Sequence, residues 1–300
     1  MGELTGRGGA RIKVLSRARR LGVDIAEFWD GIEIVEGDLR TPGSLRGFLE
    51  PGCTVVNLVY LREAGEEANL AVIRHLLEAC GGANVRRLIH CSTADVAGRT
   101  PDNLITENTP CHPLTEYATT KLKVEELVLD AARDGLDALI LRPTAVFGPG
   151  SKNLKKLADD LVAGRRTRNY LKSCVFGRRR MNQVHVKNVV DAIIFLAHRI
   201  ENLRGEVFIV SDDDSPSNNF ADIERFFMRE FHIPNYRLPR LPFPQSVLSW
   251  ILACHGKDNI NPRRNYDPSK LFSLGFERPI RFEVGLAEYA AWYASEQRGG

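Results

Sequence analysis

The chain has 300 residues, 43 % apolar and 26 % charged, with a formal net charge of +3. Those values suit a folded chain with a sizeable core, in one large domain or one domain with a smaller appendage. So small a net charge excludes the strong basic asymmetry of a nucleic-acid binder. The cysteines at 53, 80, 91, 111, 174 and 254 show no C-x-x-C and no metal spacing. They read as reduced, small apolar residues in a reducing compartment, with no metal site. The first residues carry no apolar signal core, and no apolar run approaches the ~20 residues that span a bilayer. No transmembrane segment is expected, and a cytoplasmic location is.

Taken in chain order, apolar runs of strand length alternate with helical patterns, the rhythm of a parallel sheet built from βαβ units. Residues 12–15 are strand-like, 32–35 follow and close on Gly37 and Asp38, and 54–59 form the third run. Residues 68–80 have helical period, with Leu70, Ile73, Leu76 and Leu77 on one face. A strand at 87–91 precedes a helix at 116–133, whose apolar residues are Leu122, Val124, Leu127 and Val128. A strand at 139–141 stops before Pro143. A helix over 151–164, a short strand at 184–186, a helix at 188–198 and a strand at 206–210 follow. Beyond about residue 211 the rhythm breaks: prolines cluster at 234, 239, 242 and 244, residues 241–254 are apolar and aromatic, and a helical pattern at 282–294 comes last. The pattern predicts a Rossmann-like, doubly wound α/β sheet domain over residues 1–210. A small C-terminal substrate lobe over 211–300 is interleaved with residues 150–185.

Tyr117 and Lys121 stand four apart on the helix expected at 116–133, so they share a face, one turn from each other. Thr93 lies just past the preceding apolar run. Hydride transfer to or from a carbinol carbon needs a partner for the hydroxyl proton. A tyrosine serves near neutral pH if its phenolate is stabilised, and an ammonium one turn away does that by charge. A hydroxyl at the strand end, Ser92 or Thr93, orients the substrate oxygen. A bare Y-x-x-x-K is far more often a helix-surface pair. The strand before it and the segment LRPTAVFGPG at 141–150 after it reverse that reading.

With these segments the chain resembles the extended short-chain dehydrogenases/reductases, also called the NAD-dependent epimerase/dehydratase family, from about residue 12 to 292. CSTADVAG at 91–98 stands where the family has S-S-[ST]-x-x-V-Y-G, which puts its catalytic hydroxyl on Thr93. Asn69 matches the asparagine of the helix after the third strand, and GDL at 37–39 the segment that contacts adenine. VHVKNVVDA at 184–192 and DPSKLFSLGF at 267–276 match two later segments. The resemblance implies Tyr117 as acid/base, Lys121 as its tuning charge and ribose contact, Thr93 as substrate-oxygen ligand and Asn69 beside them. It implies cofactor contacts from Ser16, Arg17, Asp38, Leu39, Leu58, Val59, Tyr60, Pro143 and Val146 as well as from Tyr117 and Lys121. It also implies a homodimer through a four-helix contact that includes the helix of Tyr117.

Two departures qualify that expectation. The family opens with a strand and T-G-x-x-G-x-x-G, whose helix N-terminus holds the cofactor pyrophosphate. Here Thr5, Gly6 and Gly9 have the first spacing only, four residues precede them, and a strand follows at Ile12. They read as a decoy, so the first βα unit is expected to be truncated or lost and dinucleotide binding is in doubt. Secondly, NLVY at 57–60 replaces the family's H-[LV]-A-[AG], and Tyr60 either crowds the cofactor or caps the sheet end. After the second strand of the family pattern, Ser16, Arg17, Arg19 and Arg20 offer no acid for a ribose 2′-hydroxyl, which favours NADP over NAD.

For the substrate, arginines at 178–180 and 263–264 fall about where nucleotide-sugar members clamp a diphosphate, with Arg180 and Arg263 the chosen pair. The expected function is an epimerase, reductase or dehydratase of a nucleotide sugar. Two alternatives stay open: a cofactor-deficient homologue acting as a binding or regulatory protein, and a reductase of an apolar, steroid- or flavonoid-like ketone. The 241–254 run is either a lid for such a substrate or packing within the small lobe.

Overall fold

The computed structural model describes residues 11–17, 32–41, 43–241, 243–244, 247–249 and 261–299. In chain order its elements are β1 (Ile12–Ser16), β2 (Ile32–Glu36), β3 (Thr54–Asn57), α1 (Gly65–Ala83), β4 (Arg87–Cys91), β5 (Leu104–Ile105), α2 (Glu116–Arg133), β6 (Ala138–Pro143) and β7 (Ala145–Phe147). There follow α3 (Lys155–Val162), α4 (Arg166–Phe176), β8 (Gln183–His185), α5 (Val186–His198), β9 (Val207–Val210), α6 (Phe220–Glu230), β10 (Asn265–Tyr266), α7 (Ser269–Ser273) and α8 (Phe282–Gly299). The glycines at 5–9, the arginines at 19 and 20, and much of the 241–254 run lie outside the described residues.

The chain forms two compact units. One comprises Met1–Ser92, Thr119–Leu141 and Val190–Val207; the other comprises Thr93–Ala118, Arg142–Val189 and Phe208–Gly300. The second unit therefore takes in residues 93–118 and 142–149, which a boundary at 210 leaves in the sheet domain.

The first unit is built on parallel strands. β3 pairs with β4 from Thr54–Arg87 to Asn57–His90, and β4 with β6 from Leu88–Ala138 to Cys91–Leu141. The sheet order is β3-β4-β6-β9. β1 and β2 make a separate parallel pair, Ile12 against Ile32 through Ser16 against Glu36. The expected sheet is thus present in two pieces. α1 buries Leu70, Ile73 and Leu76, and α2 buries Val124 and Val128. These side chains close one core with Leu88, Ala138 and Ile140. α1 stops where Asn84 turns left-handed at φ 51° and its N–H donates to the carbonyls of Cys80 and Gly81. Arg87 is a buried cation, 1 % exposed. Its Nε and Nη2 both donate to Asp137 Oδ2, at 3.0 and 2.7 Å, and its Nη1 donates to the Leu196 carbonyl near the end of α5 at 2.6 Å. A carboxylate and a helix C-terminus are what a buried guanidinium requires.

The second unit packs α3, α6 and α8 around Phe147, Leu161, Ile223, Phe227, Leu286 and Tyr289. Phe227 stacks on Tyr289 at 5.8 Å, and Phe147 meets Phe282 edge-on at 5.6 Å. β7 pairs in parallel with β8, and β10 with β5. Gly98 follows a 3₁₀ turn, Ala94–Ala97, at φ +58°. A Cβ there would stand 1.8 Å from the His112 carbonyl oxygen, so only glycine fits.

Candidate functional site

Lys121, in the second turn of α2, is 4 % exposed, and its Nζ donates to the Cys91 carbonyl at the end of β4 at 2.6 Å. Burial pushes the ammonium's pKa down, while Cys91 and Glu125 act the other way. On β4 the neighbouring His90 is 1 % exposed, and burial, then the charge of Lys121, take its pKa down to about 3. Its ring is therefore neutral at pH 7. The Val59 N–H donates to Asn57 Oδ1 at 3.0 Å, which turns the Asn57 amide nitrogen toward His90 Nδ1, 3.0 Å away. His90 Nδ1 accepts there, so its proton sits on Nε2. Neither Asn57 nor His90 carried a functional reading in the sequence. The one available signal was that position 57 falls where the family has histidine.

Ser92 is buried, and its hydroxyl has no hydrogen-bond partner among the described residues. Asn69 is 5 % exposed and fully engaged with backbone: its oxygen accepts from the Leu61 N–H at 2.8 Å, and its nitrogen donates to the carbonyls of Leu61 at 2.9 Å and Gly65 at 2.8 Å. Tyr60, between these anchors, puts its ring centroid 5.8 Å from Lys121 Nζ. Leu58 and Val59 are exposed.

At the ends of β1 and β2, the Gly37 N–H donates to the Ser16 carbonyl at 2.9 Å. Arg17, Glu36, Gly37, Asp38 and Arg40 line an open cleft there. Arg40 grips the Asp38 carboxylate at 2.9 and 3.1 Å, and this hydrogen bonding holds its pKa down at about 2. Leu39 lends its carbonyl to His75 Nδ1 at 3.1 Å.

In the second unit, Tyr117 is 40 % exposed in the first turn of α2. Thr115 Oγ1 caps that turn by accepting the Ala118 N–H at 3.2 Å. Thr93 Oγ1 accepts the Asp95 N–H at 3.2 Å and so caps the 3₁₀ turn, which leaves its own proton to donate. Pro143 is buried on β6 and Val146 half-buried on β7. Arg180 is half-buried. Its guanidinium donates to the carbonyls of Asp213, Ser215 at 3.0 Å and Pro216 at 3.4 Å. Arg263 is exposed, whereas Arg264 is buried on the carbonyls of Gly98 at 2.8 Å and Thr100 at 3.3 Å. The hub of this unit is Asp213. It accepts from Asn182, Asn218 and the Tyr266 N–H, yet burial still pushes its pKa up to about 6. Sequence reasoning passed over it.

Among the described residues no group of three or more His, Cys, Asp or Glu is placed to hold a metal, and no helix is long and apolar enough to cross a membrane.

Parallel strands linked by helices, with a lysine drawn onto a strand end one turn after a tyrosine, define a Rossmann-like α/β protein. The NAD dependent epimerase/dehydratase family model matches residues 4–211, and the chain belongs to that family. Sterol demethylase protein B of Methylococcus capsulatus is 32 % identical over 296 residues, covering 87 % of this chain and 85 % of that protein. The decarboxylating sterol-4-alpha-carboxylate 3-dehydrogenase of Candida albicans is 26 % identical over 200 residues, 62 % of this chain. The chain spans about half of that relative's length, 55 %. UDP-glucuronic acid 4-epimerase from Bacillus cereus, solved in complex with NAD, superposes with a TM-score of 0.74 at 16 % identity over 99 % of this chain and 93 % of that one, a likeness of fold.

Proposed function

We propose that this chain is a nicotinamide-dependent dehydrogenase or reductase acting on the hydroxyl or keto group of an apolar, sterol-like substrate. The observation that carries the substrate class is Arg180, whose Nη1 and Nη2 are engaged by three backbone carbonyls rather than left facing a diphosphate. The two sequence relatives named for sterols support the same choice. Tyr117 exchanges the substrate's hydroxyl proton, and Lys121 lowers the cost of its phenolate. Thr93, or Ser92, holds the substrate oxygen.

The residues present fit the two ends of a nicotinamide dinucleotide. Lys121 spends one N–H on Cys91 and keeps two for a ribose, and the cleft at Arg17, Gly37 and Asp38 suits the adenosine end, with Leu39 next in the chain. The segment compared with the pyrophosphate loop, at residues 5–9, lies outside the described residues. When bound, the nicotinamide takes or supplies the hydride. Arg17 favours a 2′-phosphate and hence NADP, although Glu36 and Asp38 share its cleft. Asn69 serves this reading by holding backbone, and a homodimer through α2 belongs to it.

A nucleotide sugar is the second reading, on the exposure of Arg178 and Arg263. The test is calorimetry with NADH and NADPH, followed by turnover of a hydroxysterol against a UDP- or dTDP-sugar. Sterol turnover that falls about 10²–10⁴-fold in a folded Tyr117→Phe variant is expected. Turnover of the sugar alone would overturn the substrate class. No binding of either cofactor by the folded chain would leave the regulatory alternative.

A further inference from the structure

The loop between β3 and α1 is tied at two points by buried asparagines. Asn57 Oδ1 takes the Val59 N–H, and Asn69 holds Leu61 by both its N–H and its carbonyl. Each asparagine is 5 % exposed, so neither tie is a surface accident. Tyr60 is the one residue between the ties, and its ring is the aromatic face beside the Lys121 ammonium.

We propose that Tyr60 is a positioning residue for Lys121: its ring, set by the Asn57 and Asn69 ties, keeps the buried ammonium charged and in place at the end of β4. The inference rests on reading Tyr117 and Lys121 as the hydride-transfer pair. An ammonium withdrawn from water needs compensation, and the Tyr60 ring adds to what the Cys91 carbonyl and Glu125 give it. From β4 come the Cys91 carbonyl, the Cys91 thiol and His90. Burial pushes the thiol's pKa up and keeps the imidazole neutral, so neither supplies a counter-charge at neutral pH. From α2 come Tyr117, one turn back, and Glu125, one turn on. An aromatic face attracts the ammonium without accepting its N–H groups in the way a carboxylate would. Those N–H groups stay available for a ribose hydroxyl or a tyrosine phenolate. A small residue at position 60 gives the lysine no such face.

The experiment reads the lysine itself rather than turnover. The chain is labelled with [13Cε]lysine, the Lys121 resonance is assigned by its loss in Lys121→Arg, and its titration is followed by NMR in the parent, Tyr60→Phe and Tyr60→Leu. Phe keeps the ring, so its titration matches the parent. Leu removes the ring, and the Lys121 pKa falls by about one unit. If circular dichroism shows Tyr60→Leu unfolded, Tyr60→Met is read in its place. A titration unmoved by Leu or Met, or lowered equally by Phe, overturns the proposal. A chain that turns over no alcohol or ketone would sink the functional reading while leaving the lysine titration to be judged separately.

Discussion

Within the first unit, the β1–β2 pair and the β4–β6 pair come from the same kind of sequence and end in different surroundings. Leu88, Ile89, Leu139 and Ile140 are 0 % exposed, and all six residues of β6 are buried. In β1 only Ser16 is buried, and in β2 no residue is. β3 lies between these extremes, with Asn57 buried and Val56 36 % exposed. β4 has a strand on each side, β3 has β4 alone, and β1 has β2 alone. An apolar run becomes a buried parallel strand only when neighbours pair both of its edges and layers cover both faces. Among the described residues no strand pairs with the second edge of β1 or of β3.

The sharpest way to test this contrast is a pair of substitutions. Arg87→Met strips the Asp137 carboxylate and the carbonyls of Leu196, Arg199 and Glu201 of their buried partner and should cost about 3–5 kcal/mol in urea unfolding. Val14→Ala on β1 should cost about 1 kcal/mol or less, because Val14 is only half-buried. A comparable loss at both positions would break the comparison.

Acid provides the next test. The His90 pKa lies near 3 in the fold against about 6.5 when unfolded, so the unfolded chain binds the extra proton between those values. The stability from neutral His90 is present above about pH 6.5 and lost as pH falls toward 3, up to about 5 kcal/mol at 1.36 kcal/mol per unit. His90→Gln should flatten the pH dependence in that window. A parent chain equally stable at pH 4 and pH 7 would show that the ring is not buried neutral.

Hydrogen exchange compares the regions without mutation. Amides of β4 and β6 should open only with global unfolding, and those of β1 and β2 about 10²-fold faster or more. The smallest effect is expected at the exposed side of β3, where Val56→Thr should change stability by no more than about 0.5 kcal/mol. A larger loss would mean that something covers Val56 in solution.

Much of the site was legible because its spacing is local. The four-residue step from Tyr117 to Lys121 obeys helix geometry, and Thr93 stands where a strand meets a turn. α6 was readable in principle, with Asn219 capping the Asp222 N–H and Ile223 and Phe227 one turn apart on the buried side, but it is short and lies in a segment without strand rhythm. α4 was not readable: its buried residues are Asn169 and Ser173, so it has no apolar stripe to find.

Sequence by itself determined the alternation of strand and helix, the family, and the helix that carries Tyr117 and Lys121. All of these follow from periodicity and short-range spacing. Tertiary structure alone decided that Arg180 engages the carbonyls of Asp213, Ser215 and Pro216, that Asp213 and Arg264 are buried hubs, and that Tyr60 faces Lys121. Each of those outcomes depends on which carbonyls, amides and rings arrive from residues tens of positions away. A charged or aromatic side chain has no fixed direction until those partners are in place.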